Sequence, residues 1–173
     1  MSFSKFEMTA DKVVLPVGTE VPWGEWRQSS ASNTLYTTGI QECIAIAVYD
    51  PLKRIGHMAH TLARKHLLDK LLPDFIESVA NSCDSETSRL SLCIAGGRAD
   101  EDSIELFHGA IIRRKTVVDA FSLLGVSEPW HLDWDEEYLT HNLELDCSNG
   151  DFSLTSVYPA PRWLVQTTPN PIV

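Results

Sequence analysis

Cys43-Ile-Ala-Ile-Ala-Val-Tyr-Asp50-Pro51-Leu52-Lys53-Arg54-Ile-Gly-His-Met-Ala-His60 carries two largely apolar runs on either side of a polar break. In the first run Ile44, Ile46 and Val48 alternate with Cys43, Ala45 and Ala47, the period of two that marks a strand with distinct faces. Asp-Pro between such runs is a turn signal. A two-residue loop at Pro51-Leu52 pairs Asp50 with Lys53 and, carried outward, sets Cys43 opposite His60. Directly opposed residues of an antiparallel pair share a face with Cβ atoms roughly 4.5–5.5 Å apart, about the separation at which a thiol and an imidazole share a proton. The large residues at 44, 46 and 48 are expected to pack against a helix. The small ones leave the cysteine face for an approaching substrate strand or loop.

The rest of the chain alternates helical and strand signals. Leu67, Leu68, Leu71, Leu72, Phe75, Ile76 and Val79 recur at helical spacing, with Pro73 either in the first turn of a helix that begins near Leu71 or at a kink. A polar loop follows at 81–88, then a buried strand from Arg89 to Ala95, a turn at Gly96-Gly97 and an acidic exposed segment at 98–103. Val117, Ala120, Phe121 and Leu124 mark a second helix, closed by Gly125. Asn149-Gly150 between alternating runs predicts a hairpin with a type I′ turn over 143–157. Within residues 1–34 only Val13-Val14-Leu15 has strand character, and the prolines from Pro159 onward predict an extended tail. The fold class expected is α+β: one domain, a layered α/β sandwich with mainly antiparallel strands and two long helices on the sheet.

A chain of 173 residues with 43% hydrophobic content is the size of one domain with a substantial core. Its net charge of −10 argues against nucleic-acid or anionic-membrane binding and mildly favours basic partners. No apolar run reaches the roughly 18–20 residues of a membrane span and no signal peptide is visible, so a cytoplasmic location is expected. Cys43, Cys83, Cys93 and Cys147 fit neither a disulfide scaffold nor a zinc pattern; reduced thiols are the expectation, with the last three structural.

Thr37-Thr-Gly39-Ile-Gln-Glu-Cys43, the apolar strand, Tyr49-Asp-Pro51, and Ile55-Gly-His-Met-Ala-His60 together resemble the core of the CheD family, bacterial chemotaxis proteins that deamidate glutamines on chemoreceptors. Ile94-Ala95-Gly96-Gly97 and an Arg-bearing helix ending Leu124-Gly125-Val126 follow in the family's order, so the resemblance covers about Leu35 to Val126. It implies Cys43 as nucleophile, His60 as base and Thr37 as the residue that orients the histidine, with no metal or organic cofactor. Amides near Glu42 and Cys43 would hold the oxyanion, and Gly39, Gly96 and Gly97 complete the oxyanion and substrate-binding set. The partners implied are a protein bearing a glutamine, chemoreceptor or other, and a chemotaxis phosphatase. Two departures stand out: Gln41-Glu42 replace a Gly-Ser pair, placing a carboxylate beside the thiol, and Ala110-Ile-Ile-Arg-Arg-Lys115 replaces Ile-Gly-x-Arg-Asn. Divergence of this kind also fits an effector deamidase secreted into a host cell, or a binding module that has kept the scaffold without turnover.

Other motifs weigh less. His57-Met-Ala-His60 has metal-chelating spacing only on a helix; on a strand the odd separation sends the rings to opposite faces. Trp130, Trp134 and Trp163, with Asp133, Asp135, Glu136 and Glu137, have the composition of a ligand-binding lip, but core edges beside a solvated acidic loop account for them better. His66, His108, His131 and His141 are taken as surface or satisfied core residues.

Overall fold

The computed structural model describes residues 2–9, 13–62, 65–83, 87–98, 104–127, 130–134 and 140–158. Trp163, the acidic positions 135–137, most of the 98–103 segment and the tail from 159 lie outside these residues. Ten strands and two long helices are described, the strands forming two five-stranded sheets. One sheet is ordered β1-β10-β9-β4-β2, built from β1 (Phe3–Thr9), β2 (Thr19–Glu20), β4 (Thr34–Ile40), β9 (Thr140–Asp146) and β10 (Asp151–Tyr158). The other is ordered β3-β6-β5-β7-β8, from β3 (Glu25–Ser30), β5 (Cys43–Asp50), β6 (Ile55–Leu62), β7 (Ser91–Gly96) and β8 (His131–Trp134).

The α+β class holds, but the expectation of a simple, mainly antiparallel sandwich is corrected. Both sheets are mixed: β1 runs parallel to β10, β2 to β4, and β8 to β7. The N-terminal region differs too. Val13–Leu15 is not a strand, whereas Phe3–Thr9 and Glu25–Ser30 are. Both occupy sheet edges, where a strand is buried little and needs no apolar alternation to be held; backbone pairing suffices. That is why their polar sequences read as loop.

Helices α1 (Lys65–Ser82) and α2 (Ile104–Leu124) cover the second sheet. Ile44, Ile46 and Val48 meet Leu68, Leu72, Phe75, Val79, Val117 and Phe121 in one buried cluster, as the alternation predicts. Pro73 sits inside α1 rather than in its first turn. Gly125, at φ 84°, ends α2, its amide donating to Ser122 O and the Val126 amide to Phe121 O, a left-handed C-terminal cap. The small face of β5 is not open to substrate along its length. Ala45, Ala47, Cys93 and Met58 pack against Leu35, Leu143, Leu145, Phe152 and Leu154 of the first sheet, so the short side chains let two sheets approach.

That approach accounts for Gly56. A Cβ there would collide with Cys147 Sγ and lie 2.8 Å from Leu145 Cδ2. Gly56→Ala should therefore lower stability by about 1–3 kcal/mol, the usual cost of overpacking a filled core, read as a lower urea midpoint at unchanged slope.

Both hairpins turn through four residues, which corrects two expectations. The pair closing β5 and β6 is Asp50 with Ile55, and that closing β9 and β10 is Asp146 with Asp151. Asp50 Oδ1 accepts the amides of Leu52 and Lys53 at 2.9 and 3.2 Å; Asp146 Oδ1 accepts that of Ser148 at 2.8 Å. Such side-chain turns stabilise the first half of the loop. A left-handed residue then returns the chain: Gly150 at φ 79° in one, Arg54 at φ 54° in the other. Asn149 is not left-handed, so the type I′ turn, which needs positive φ at both central positions, does not form.

Candidate functional site

The longer loop shifts the register of the central hairpin by two residues. Ala45, not Cys43, stands opposite His60, and Cys43 stands opposite Leu62. A shift of two keeps every side chain on its face. Cys43 and His60 are therefore diagonal neighbours, whose Cα atoms are separated by roughly 7–8 Å, with Cβ atoms somewhat closer.

Thr37 comes from β4 in the other sheet, so the site is assembled across the interface between sheets. Its hydroxyl lies 2.7 Å from His60 Nδ1 and donates to Val21 O at 2.8 Å. A hydroxyl has one proton, and the carbonyl can only accept. Thr37 must therefore accept from Nδ1–H, which leaves the Nε2 lone pair of His60 as the proton acceptor. Nε2 is buried and has no hydrogen-bond partner among the described residues. The geometry thus yields a neutral imidazole in the tautomer that a general base requires. Burial lowers its pKa to about 4, so it is unprotonated at neutral pH. Thr38 makes no such contact among the described residues.

His57, three residues away, points the other way. Its Nε2 is 2.8 Å from Ser82 Oγ on α1, and its ring lies edge-on to Phe75 at 6.4 Å. The two imidazoles do not share a face, and metal chelation by the pair is ruled out geometrically.

Cys43 opens β5 and is 9% exposed, at the boundary of the inter-sheet core. Burial raises its pKa; the Gln41 backbone pulls it down, and the Glu42 carboxylate pushes it further up. The resting pair is thus thiol and neutral imidazole. With burial raising the thiol and lowering the imidazole to about 4, the thiolate–imidazolium form is disfavoured in the resting site. Proton removal must accompany attack or follow a change at the mouth.

The glycines fall around this cysteine. Gly96 and Gly97 are left-handed, at φ 88° and 65°, and a Cβ on Gly96 would strike Cys43 O and Ile40. Gly97 N–H donates to Cys43 O at 2.6 Å, and its own carbonyl accepts Arg114 Nε at 2.8 Å. Gly39, at φ 74°, sits in the irregular stretch between Thr37 and Ile40, with its amide on Asn142 Oδ1 at 3.3 Å. The amides of Gly39 and Gly97 are thus already engaged in shaping the backbone. Glu42 is two-thirds exposed, with Arg98 at 3.6 Å.

Sequence inspection did not find Val21, Asn142, Arg98 or Arg114 as parts of this site. Each reaches it from a distant element, so local spacing carries no signal for them. Trp134 is half-buried under the Arg114 guanidinium, 5.2 Å from its carbon, and His131 stacks on Phe3 at 4.6 Å. Cys83, Cys93 and Cys147 are buried free thiols. No described helix is long and apolar enough to cross a membrane.

No known protein-family profile matches the chain. A 52-residue segment, 30% of the chain, is 35% identical to a probable chemoreceptor glutamine deamidase CheD of Moorella thermoacetica. The match spans 31% of that relative's length. Among solved structures, a hypothetical protein YfiH of Bacillus licheniformis aligns over 75% of this chain and 62% of its own, at 9% identity and a TM-score of 0.46.

Proposed function

We propose that the chain is a cysteine-dependent deamidase acting on glutamine side chains of a protein substrate. The observation that carries this reading is the Val21–Thr37–His60 hydrogen-bond chain, which leaves an unpartnered imidazole lone pair on the face that Cys43 shares. His60 Nε2 takes the thiol proton as Cys43 Sγ attacks the carboxamide carbon. Amides near Glu42 and Cys43 hold the developing oxyanion, and His60 returns the proton to departing ammonia. Water, deprotonated by the same nitrogen, then cleaves the thioester and leaves glutamate. Partial identity to a chemoreceptor glutamine deamidase supports this class of substrate, whether a chemoreceptor or another target.

The test is intact-mass spectrometry of candidate protein substrates incubated with wild type or Cys43→Ala. A gain of about one dalton per site with wild type only is expected, since a hydroxyl group replaces the NH2 of the carboxamide. Equal masses with both proteins would overturn the proposal. Thr37→Val should lower turnover about 10²-fold and flatten the pH dependence, because either ring nitrogen may then carry the proton. Thr37→Ser, which keeps the hydroxyl, should recover most of it.

One observation favours a second reading, a binding module without turnover: the Cys43 thiol is raised rather than activated. Iodoacetamide distinguishes the two. A Cys43 that reacts no faster than an unfolded-chain cysteine near neutral pH, in the presence of a substrate-like peptide as well as without it, belongs to a binding module.

A further inference from the structure

The outward side of the helical layer is more apolar than a solvent-facing surface needs to be. On α2 Ile112 and Leu123 are 63% and 89% exposed. They project from one side of the helix, about three turns and roughly 16 Å apart. Beside them, two hollows follow one another along the groove between α1 and α2. One, of about 160 Å³, is lined by Leu68, Asp69, Gly109, Ile112, Arg113 and Thr116. The other, of about 410 Å³, lies toward the C-terminal end of α2 among Leu72, Pro73, Ile76, Ala120, Leu123 and Leu124. Gly109 keeps the first one open, since a Cβ there would meet Arg113 Nη1 at 2.7 Å. Single exposed apolar side chains are ordinary, but a continuous apolar groove flanked by two projecting ones marks a contact surface.

The charges on this face point to its occupant. The chain carries a net charge of −10, so an acidic face would draw a basic partner and repel a second copy. This face is not acidic. The first hollow holds one acid and one base, Asp69 and Arg113; the second holds no charge; and on the outward side of α2 Lys115 pairs with Asp119 at 2.6 Å. Shape agrees with charge. Ile112 flanks the first hollow and Leu123 the second, so a half-turn about an axis near Thr116 seats Ile112 in the larger hollow of a second copy and Leu123 in its smaller one. Each contact then occurs twice, as a two-fold dimer requires. The same half-turn brings the C-terminal, negative end of the α2 dipole over Arg113 of the second copy. With helices of 18 and 21 residues, the face measures about 30 by 20 Å. Two copies would bury about 1,200 Å² in all, the lower end of specific interfaces.

We propose that the α1–α2 face is a two-fold interface between copies of this chain, with a dissociation constant in the micromolar range. The dimer is independent of the deamidase reading. The helices cover the face of the second sheet turned away from Cys43, so both cysteine sites stay clear of the interface.

Sedimentation velocity of the full chain from about 1 to 200 μM, which spans that range of affinity, reads the association directly. The 19.3 kDa monomer should give way to a species of twice the mass as concentration rises. Added salt should favour the dimer, because screening weakens repulsion between two acidic copies while the apolar contacts persist. Ile112→Ser and Leu123→Ser should each weaken association about tenfold, and the two together should leave a monomer at every concentration. Ile111→Ser should change nothing, since that side chain, 44% exposed, lies on the flank of α2 away from the groove. All three positions face solvent in the single chain, so unchanged circular dichroism is expected of each variant. Close to the axis, Thr116→Cys in the Cys43→Ala protein should be joined to its counterpart by a short bismaleimide. A wild type that stays monomeric throughout overturns the interface. So does a dimer that Ile112→Ser and Leu123→Ser leave intact, or one that Thr116→Cys fails to trap.

Discussion

Between pH 7 and pH 4.5 the protein should lose about 5 kcal/mol of stability through two buried histidines. His57 and His60 are 1% and 4% exposed, and burial holds both near a pKa of about 4, Asp50 raising His57 only in part. In the unfolded chain each titrates near 6.5. The unfolded state therefore binds protons first as pH falls, and the stability that both neutral rings contribute, fully present above pH 6.5, drains away down to about pH 4. At 1.36 kcal/mol per pH unit this amounts to roughly 3.5 kcal/mol for each ring and about 7 for the pair, against a total stability of about 5–15 kcal/mol for a typical domain. Urea midpoints at pH 7, 6, 5 and 4.5 should fall steeply, by up to about 2.7 kcal/mol per unit where both rings titrate. Either His57→Gln or His60→Gln should halve that slope. A midpoint unchanged from pH 7 to pH 5 would mean that the rings accept protons in place.

The same rings show which parts of the site sequence exposes. The odd spacing of His57 and His60 correctly sends them to opposite faces of β6, since side-chain alternation in a strand is a local property. What each ring meets is not local. Ser82 is on α1 and Thr37 is in a different sheet; only the spacing of a family pattern, not any periodicity, pointed to Thr37. Register was legible to within an even number. The face of Cys43 depends on parity, which the alternation fixes, while the exact partner depends on loop length, and that turned on Asp50 capping the loop and Arg54 adopting a left-handed conformation. Arginine gives no sequence signal for positive φ, whereas glycine would have.

The layering was half legible for a related reason. Large residues at 44, 46 and 48 marked the helix-facing side of β5. Small ones on the reverse fit an open surface and a close sheet-to-sheet contact equally well, and only the partner strands, far away in sequence, decide for contact. Edge strands β1 and β3 were missed because their stabilisation comes from backbone pairing, which leaves no side-chain pattern. The Arg98 approach to Glu42 and the Arg114 contact with Gly97 O were missed because they act through space; as sequence the two arginines are merely a turn and a helix face.

Removing Arg89 should cost about 3–5 kcal/mol, the penalty for leaving a buried carboxylate without its cation. Asp50 is 1% exposed, and Arg89 grips both its oxygens, Nε to Oδ1 at 3.1 Å and Nη2 to Oδ2 at 2.9 Å, while also donating to Cys83 O at 3.1 Å. Burial alone would push the Asp50 carboxyl up; Arg89 and the amides of Lys53 and Leu52 outweigh it and hold the group below its ordinary value. A depressed carboxyl contributes stability that is present above its unfolded pKa and lost only as pH falls through the folded one, below the range in which the histidines act. In Arg89→Ala the sign reverses: burial dominates, the carboxyl rises, and the deficit relative to wild type should be largest at pH 7 and shrink toward pH 4. Arg89→Met combined with Asp50→Asn should recover much of the loss, because an amide keeps the loop hydrogen bonds without stranding a charge. An Arg89→Ala protein as stable as wild type at pH 7 would show that water reaches Asp50. The pair matters to the site because Asp50 caps the loop that sets the β5–β6 register, and that register decides whether the Cys43 sulfur and the His60 lone pair lie on one face.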